Sequence, residues 1–154
     1  MASLAPIAIF IYMRPNHLRH TLNDLMACPG FAQSPVFVFA DGPKRPEQMP
    51  QIEAARAVAR EMLGERVTYR FADHNKGLAS SIIDGVNELT TAYGRVIVVE
   101  DDLGLSPQFL SYMNAALDAY KHAEGVYQVS GHMFDVPELR PAHPPSAPDR
   151  RLAR

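Results

Sequence analysis

Val96-Ile97-Val98-Val99-Glu100-Asp101-Asp102 runs four apolar residues directly into three carboxylates, with no lysine or arginine beside them. A short, unbroken apolar run of this kind reads as a strand covered on both faces. Three more runs precede it: Ile7-Ala8-Ile9-Phe10-Ile11-Tyr12, Val36-Phe37-Val38-Phe39-Ala40 and Val67-Thr68-Tyr69-Arg70-Phe71. Of the four, only the Val67 run alternates, so the sheet they form is expected to be mostly parallel and buried on two sides.

Helical patterns separate these runs. After Arg14-Pro15, Asn16 is expected to cap a helix with Leu18, Leu22, Leu25 and Met26 on one face, stopped by Pro29-Gly30. A second helix begins near Pro50, carries Ile52, Ala55, Ala59, Met62 and Leu63, and ends at Gly64. The third follows Gly77 and is expected to bury Leu78, Ile82, Val86 and Leu89. A fourth starts at Ser106-Pro107 with Leu110, Met113, Leu117 and Tyr120, and a last short strand is expected at Val126-Tyr127-Gln128-Val129-Ser130. The order β-α-β-α-β-α-β-α-β implies an α/β, Rossmann-like sheet wound through right-handed crossovers, with helices on both faces. One domain is expected over residues 4–134; residues 135–154, rich in Pro and Arg, lack apolar periodicity and are expected to be loosely ordered.

The bulk properties narrow the function. A chain of 154 residues, 47% hydrophobic, can enclose one core but not two. Its formal net charge of -2 argues against nucleic acid as a partner, because backbone affinity needs clustered Lys and Arg. The single Cys28 cannot form an internal disulfide, which suits a reducing compartment, and the cytoplasm is the expected location. The apolar stretch from Ile7 to Met13 is too short to span a bilayer, so no transmembrane segment is expected there.

In an open parallel sheet, ligands gather beyond the carboxyl ends of the strands. Those ends here carry Tyr12 and Arg14, then Asp41-Gly42, then Asp73-His74-Asn75-Lys76-Gly77, then Glu100-Asp101-Asp102. Three consecutive acids repel one another unless a cation is present, and Mg²⁺ or Mn²⁺ takes one or two carboxylates with phosphate oxygens and water. The same acids also suit the positive end of the helix that follows. Asp41 is suited either to a turn before Gly42-Pro43 or to accepting a hydrogen bond from a base or ribose. Arg14 is placed to pair with a diphosphate or to remain solvated, and Lys76 sits before a helix N-terminus as an anion ligand or a turn lysine. His17 and His20 share a helix face without an evident third metal ligand, and Cys28 lacks the partners of a nucleophile.

Taken together, Gly94-Arg95-Val96-Ile97-Val98-Val99-Glu100-Asp101-Asp102-Leu103 with Ser106-Pro107-Gln108-Phe109-Leu110 resembles the E-D-D form of the DxD motif in GT-A-fold glycosyltransferases, family-2-like and N-acetylglucosaminyltransferase I-like. Asn75-Lys76-Gly77-Leu78-Ala79 and Phe39-Ala40-Asp41-Gly42-Pro43 resemble two further stretches of that family, so the likeness covers residues 5 to 134. The resemblance implies that Asp102 is the direct metal ligand and that Asp101 helps through the ribose or the metal's water shell. It also implies that Asp41 reads the base, Tyr12 stacks on the nucleotide and Arg14 lies near the phosphates; Lys76, from its place before a helix N-terminus, joins them as a candidate nucleotide-binding residue. The cofactor is then Mn²⁺ or Mg²⁺, the donor a UDP-sugar and the acceptor a hydroxyl.

The sequence departs from the family in having no counterpart of the acceptor half, so a truncated enzyme is expected, with the catalytic base unassigned. The alternative is an inert nucleotide-binding domain that self-associates through apolar surface left bare. The G-x-G-x-x-G turn of NAD(P)-binding domains and the P-loop are both missing from the sequence. A sugar-phosphate nucleotidyltransferase would need a Gly-rich, basic N-terminal loop that is also missing.

Overall fold

The computed structural model describes residues 4–132. Its elements are β1 (Ile7–Ile11), α1 (Pro15–Ala27), β2 (Val36–Ala40), α2 (Met49–Leu63), β3 (Thr68–Phe71), α3 (Leu78–Tyr93), β4 (Ile97–Glu100) and α4 (Phe109–Ala119), with short 3-10 turns between some of them. The strands form one all-parallel sheet in the order β3-β2-β1-β4. At its centre, Ile9 pairs with Val38 on one side and Val99 on the other.

Alternation along the strands divides the core into two layers. Ile7, Ile9 and Ile11 of β1, with Val36 and Val38 of β2, pack against Leu18, Leu22 and Leu25 of α1, Ala55 and Ala59 of α2, and Leu110 of α4. Full burial of each Leu or Ile side chain contributes roughly 1.5–3 kcal/mol, so this layer dominates the stability of the domain. On the other side, Ala8, Phe10, Phe37 and Phe39 meet α3 through Leu89 and Ile82. The Phe10 and Phe39 rings stack with centroids 5.0 Å apart. Gly85 lets α3 settle on them, since a Cβ there would come within 2.8 Å of the Phe10 ring. The fold is α/β and Rossmann-like, with helices on both faces.

β2 and β4 flank β1 on opposite sides, so the direction of winding reverses between β1 and β4. The helices that follow β1 and β4 lie in the same layer, so the loops leaving these two strands run side by side over α1 at the carboxyl end of the sheet.

The structure corrects several details of the sequence reading. Among the described residues four strands form, not five: Val126-Tyr127-Gln128-Val129-Ser130 has no ladder partner there, and Tyr127 is 98% exposed. This segment turns back on α4 instead, where the Tyr112 hydroxyl donates to the Ser130 carbonyl and Gly131 sits against Phe109 and Met113. A short β-prone segment becomes a strand only by pairing with a sheet edge, and this one is tied to α4 instead. Asn16 does not cap α1; Pro15 takes the first helical position after Arg14, with no side-chain cap. Pro suits that position because its missing N–H would lack a helical partner in any case. Leu78, Met26 and Tyr120 are exposed rather than buried. Each lies within the first or last turn of its helix or just past it, and periodicity identifies a helix face without saying how far the layer beneath extends. The tail expected at residues 135–154 lies outside the described residues. Among the described residues, no helix is long and apolar enough to cross a membrane.

Candidate functional site

The rim at the carboxyl ends of β1 and β4 gathers four of the residues singled out in the sequence. Tyr12 follows β1, and its backbone N–H donates to Asp101 Oδ2 at 2.9 Å. Two residues on, the Arg14 guanidinium pairs with the Asp102 carboxylate; the two side chains are 56% and 38% exposed, so the pair stays open to solvent. Asp101 itself is only 8% exposed. Burial pushes its carboxyl above the usual carboxylate range, a rise opposed by the Tyr12 N–H and by the Arg14 charge; Asp102 adds to it, and His17 works against it. His17, on the first turn of α1, is thus an electrostatic neighbour of this corner.

The loop that presents the acids is anchored from α1. The Thr21 hydroxyl donates to the Leu103 carbonyl at 2.8 Å, and the Leu105 N–H donates to Asp24 Oδ2 at 3.0 Å. Tyr12 extends its own hydroxyl the other way, donating to Gln48 Oε1 at 3.0 Å. That oxygen also accepts the N–H groups of Lys44 and Arg45, at 2.9 and 3.1 Å. Beside it, Met13, Arg45, Glu47, Gln48, Pro50 and Gln51 line an open depression of about 680 Å³. A depression of that size lies within the range of small-ligand sites.

The β2–β3 side of the rim is put together differently. Asp41, nearly buried, directs its carboxylate into the neighbouring loop. Oδ1 accepts the N–H groups of Gly42 and Lys76 at 2.9 and 2.8 Å. Oδ2 accepts from the Asn75 side chain and the Gly77 N–H, both at 2.9 Å. A carboxylate has about four acceptor positions, so a base or ribose would have to displace one of these donors to reach it. The loops also touch directly: a Cβ on Gly42 would lie 2.5 Å from the backbone of His74. The Lys76 ammonium points to Asp84 of α3 at 3.1 Å, both side chains being more than half exposed.

No known family model matches this chain. What the rim can do chemically therefore follows from its own residues. Among the described residues, no group of three His, Cys, Asp or Glu side chains could hold a metal by itself. Asp101 and Asp102 fit the other kind of divalent site, in which one or two carboxylates share the ion with phosphate oxygens and water. The chemistry of the pair agrees with that: a buried carboxyl whose ionised form is disfavoured lies next to an exposed one, and a cation between them would favour both charges. Arg14 occupies one oxygen of Asp102, and a diphosphate would give the guanidinium a second, bidentate partner.

Several residues of the rim were not singled out in the sequence. Thr21 and Asp24 act by single hydrogen bonds across 82 and 81 positions, and nothing local marks such a partner, whereas Gln48 adds two local bonds, to the Lys44 and Arg45 N–H groups, to its reach of 36 positions to Tyr12. Arg56 did carry a signal. It lies four residues after Ile52 and three before Ala59, on the buried face of α2, where a charge is out of place. The remaining expectations have simpler outcomes. Cys28 is buried, its thiol facing the Asp24 and Ser106 carbonyls at 3.4 and 3.5 Å.

Proposed function

We propose that the chain binds a nucleoside-diphosphate sugar, UDP-linked, with Mn²⁺ or Mg²⁺, as the donor-binding part of a GT-A-fold glycosyltransferase acting on a hydroxyl acceptor. The observation that supports it is the joining of Tyr12 and Arg14 to Asp101 and Asp102 at the point where the sheet reverses its winding. A guanidinium and two carboxylates on one rim match the phosphates and phosphate-bound cation of such a donor, and the Tyr12 ring, held at its hydroxyl by Gln48, borders them as a surface for the base.

In this reading, Asp102 is the direct metal ligand, and Asp101 acts through the ribose or the metal's water shell. The metal, when bound, would neutralise charge on the diphosphate leaving group. Tyr12 offers its ring to the base. Arg14 turns from Asp102 towards the phosphates, a movement open to it because both side chains are exposed. Asp41, Asn75 and Lys76 border the nucleotide, with Asp41 reading the base at the expense of one of its present donors.

Titration calorimetry with UDP, with and without Mn²⁺, tests the reading. The wild-type chain is expected to bind only when the metal is present, and Asp102→Ala is expected to lower the affinity by about tenfold or more. Glu61→Gln, which removes an exposed acid on α2 far along the chain, serves as the control for a change of charge alone. Equal, metal-independent affinity in wild type and Asp102→Ala would overturn it. Sugar transfer to an added acceptor would separate an active enzyme from a domain that only binds.

A further inference from the structure

Arg56 lies in the middle of α2, 7% exposed, beneath the carboxyl ends of β2 and β3. Its Nη2 donates to the Ala72 carbonyl at 2.7 Å and reaches the Asp41 carbonyl at 3.4 Å. Nη1 pairs with Glu53 at 2.9 Å, and the guanidinium lies 4.9 Å from the centre of the Phe71 ring. The Nε–H has no partner among the described residues.

Packing alone does not account for this side chain. A methionine would fill much of the same space without burying a charge or leaving an N–H unpaired, but it would leave the Ala72 and Asp41 carbonyls without this donor. What the guanidinium holds is specific. Asp41 and Ala72 are the residues at which β2 and β3 leave the sheet to become the rim, and the Ala72 N–H donates to Ala40 at 2.9 Å. From Asp41 the order passes outward through its carboxylate to the N–H groups of Lys76 and Gly77.

We propose that Arg56 is a positioning residue for the rim: by fixing the backbone at Asp41 and Ala72, it aims the Asp41 carboxylate at residues 75–77 and holds that loop in the shape a ligand meets. Its importance for ligand binding rests on the nucleotide-sugar reading, whereas the clamp itself does not.

Amide hydrogen exchange by NMR on the full chain, comparing wild type with Arg56→Met and Arg56→Lys, tests the clamp. In Arg56→Met the Lys76 and Gly77 amides are expected to exchange about tenfold faster, while the central-strand amides of Ile9 and Val38 keep their rates. Lysine can reach one of the two carbonyls, so Arg56→Lys is expected to fall between, and it carries the test if the methionine variant does not fold. Faster exchange to the same degree everywhere, or no change at Lys76 and Gly77, would overturn the proposal. In a second arm, Arg56→Lys is expected to weaken UDP binding with Mn²⁺ by about tenfold through misplacement of the loop. If the wild-type chain bound no UDP, the nucleotide reading would fall, and the exchange rates would still decide the clamp.

Discussion

At the end of β2, the Asp41 carboxylate is surrounded by four donors from its own chain, whereas at the end of β4 Asp101 takes one backbone N–H and Asp102 one exposed guanidinium. Both are carboxyl ends of parallel strands paired with β1, the second beside the point where the winding reverses. They differ in what the polar groups are used for. On the β2–β3 side, hydrogen bonds close two loops on each other over Gly42 and Arg56. On the β1–β4 side, the acids keep acceptor positions that the chain does not fill, which is the property a ligand site needs.

Glycine substitutions separate the two sides most strongly. In Gly42→Ala the new methyl would lie 2.5 Å from backbone atoms of His74, which no rotamer change can relieve. The loops must part, and a loss of about 3 kcal/mol is expected in urea unfolding. Gly104, in the loop after β4, has nothing within 4 Å of the same added atom. Gly104→Ala is expected to stay within about 0.5 kcal/mol of wild type. Similar losses at both positions would mean that the loop after β4 is as tightly packed as the loop after β2.

The carboxylates come next. Asp41→Ala leaves the N–H groups of Lys76 and Gly77 and the Asn75 amide without their acceptor, in a half-buried place that water reaches poorly. A loss of about 2 kcal/mol is expected from thermal or urea unfolding. Asp102→Ala breaks only an exposed ion pair and is expected to cost no more than about 1 kcal/mol. A destabilised Asp102→Ala would blur the contrast, because the corner would then be held together as firmly as the other side of the rim.

Much of this was legible in the sequence, for reasons that differ by residue. Ile7–Ile11 and Val36–Ala40 announce buried parallel strands because both of their faces are covered, and covered strands have no polar alternation. Asp101 and Asp102 stood out because acids directly after such a run must lie at the sheet's edge. Three things were hidden. The strand expected at 126–130 depended on a neighbour, and a sequence does not say whether an edge is within reach. The pairing of Arg14 with Asp102 joins residues 88 positions apart, and the tie from Asp41 to the 75–77 loop spans 34 to 36. Such links depend on strand order, which periodicity leaves open. Arg56 was visible as a charge on an apolar helix face, but its use became clear only once β2 and β3 were known to end side by side.

The smallest expected effect concerns the charge of Asp101. Burial raises its carboxyl above the ordinary value in the folded chain, so the folded state holds this proton more tightly than the unfolded state does. The stability so gained is complete below the ordinary carboxylate range and is lost as pH rises through the raised value. Asparagine can still accept the Tyr12 N–H but does not titrate. Unfolding measured from about pH 3 to about pH 7 is therefore expected to show wild type losing ground to Asp101→Asn as pH rises. A constant gap would mean that Tyr12 and Arg14 fully offset the burial, and a gap of the opposite slope would mean that they exceed it. With Mn²⁺ and UDP present, the same comparison is expected to narrow at the upper end, because a bound cation favours the ionised carboxylate and asparagine gains nothing from it. With Mn²⁺ alone, Asp41→Ala is expected to cost the same stability as without it, because the four donors around Asp41 belong to the chain, and this would distinguish Asp41 from an acid at the β1–β4 corner.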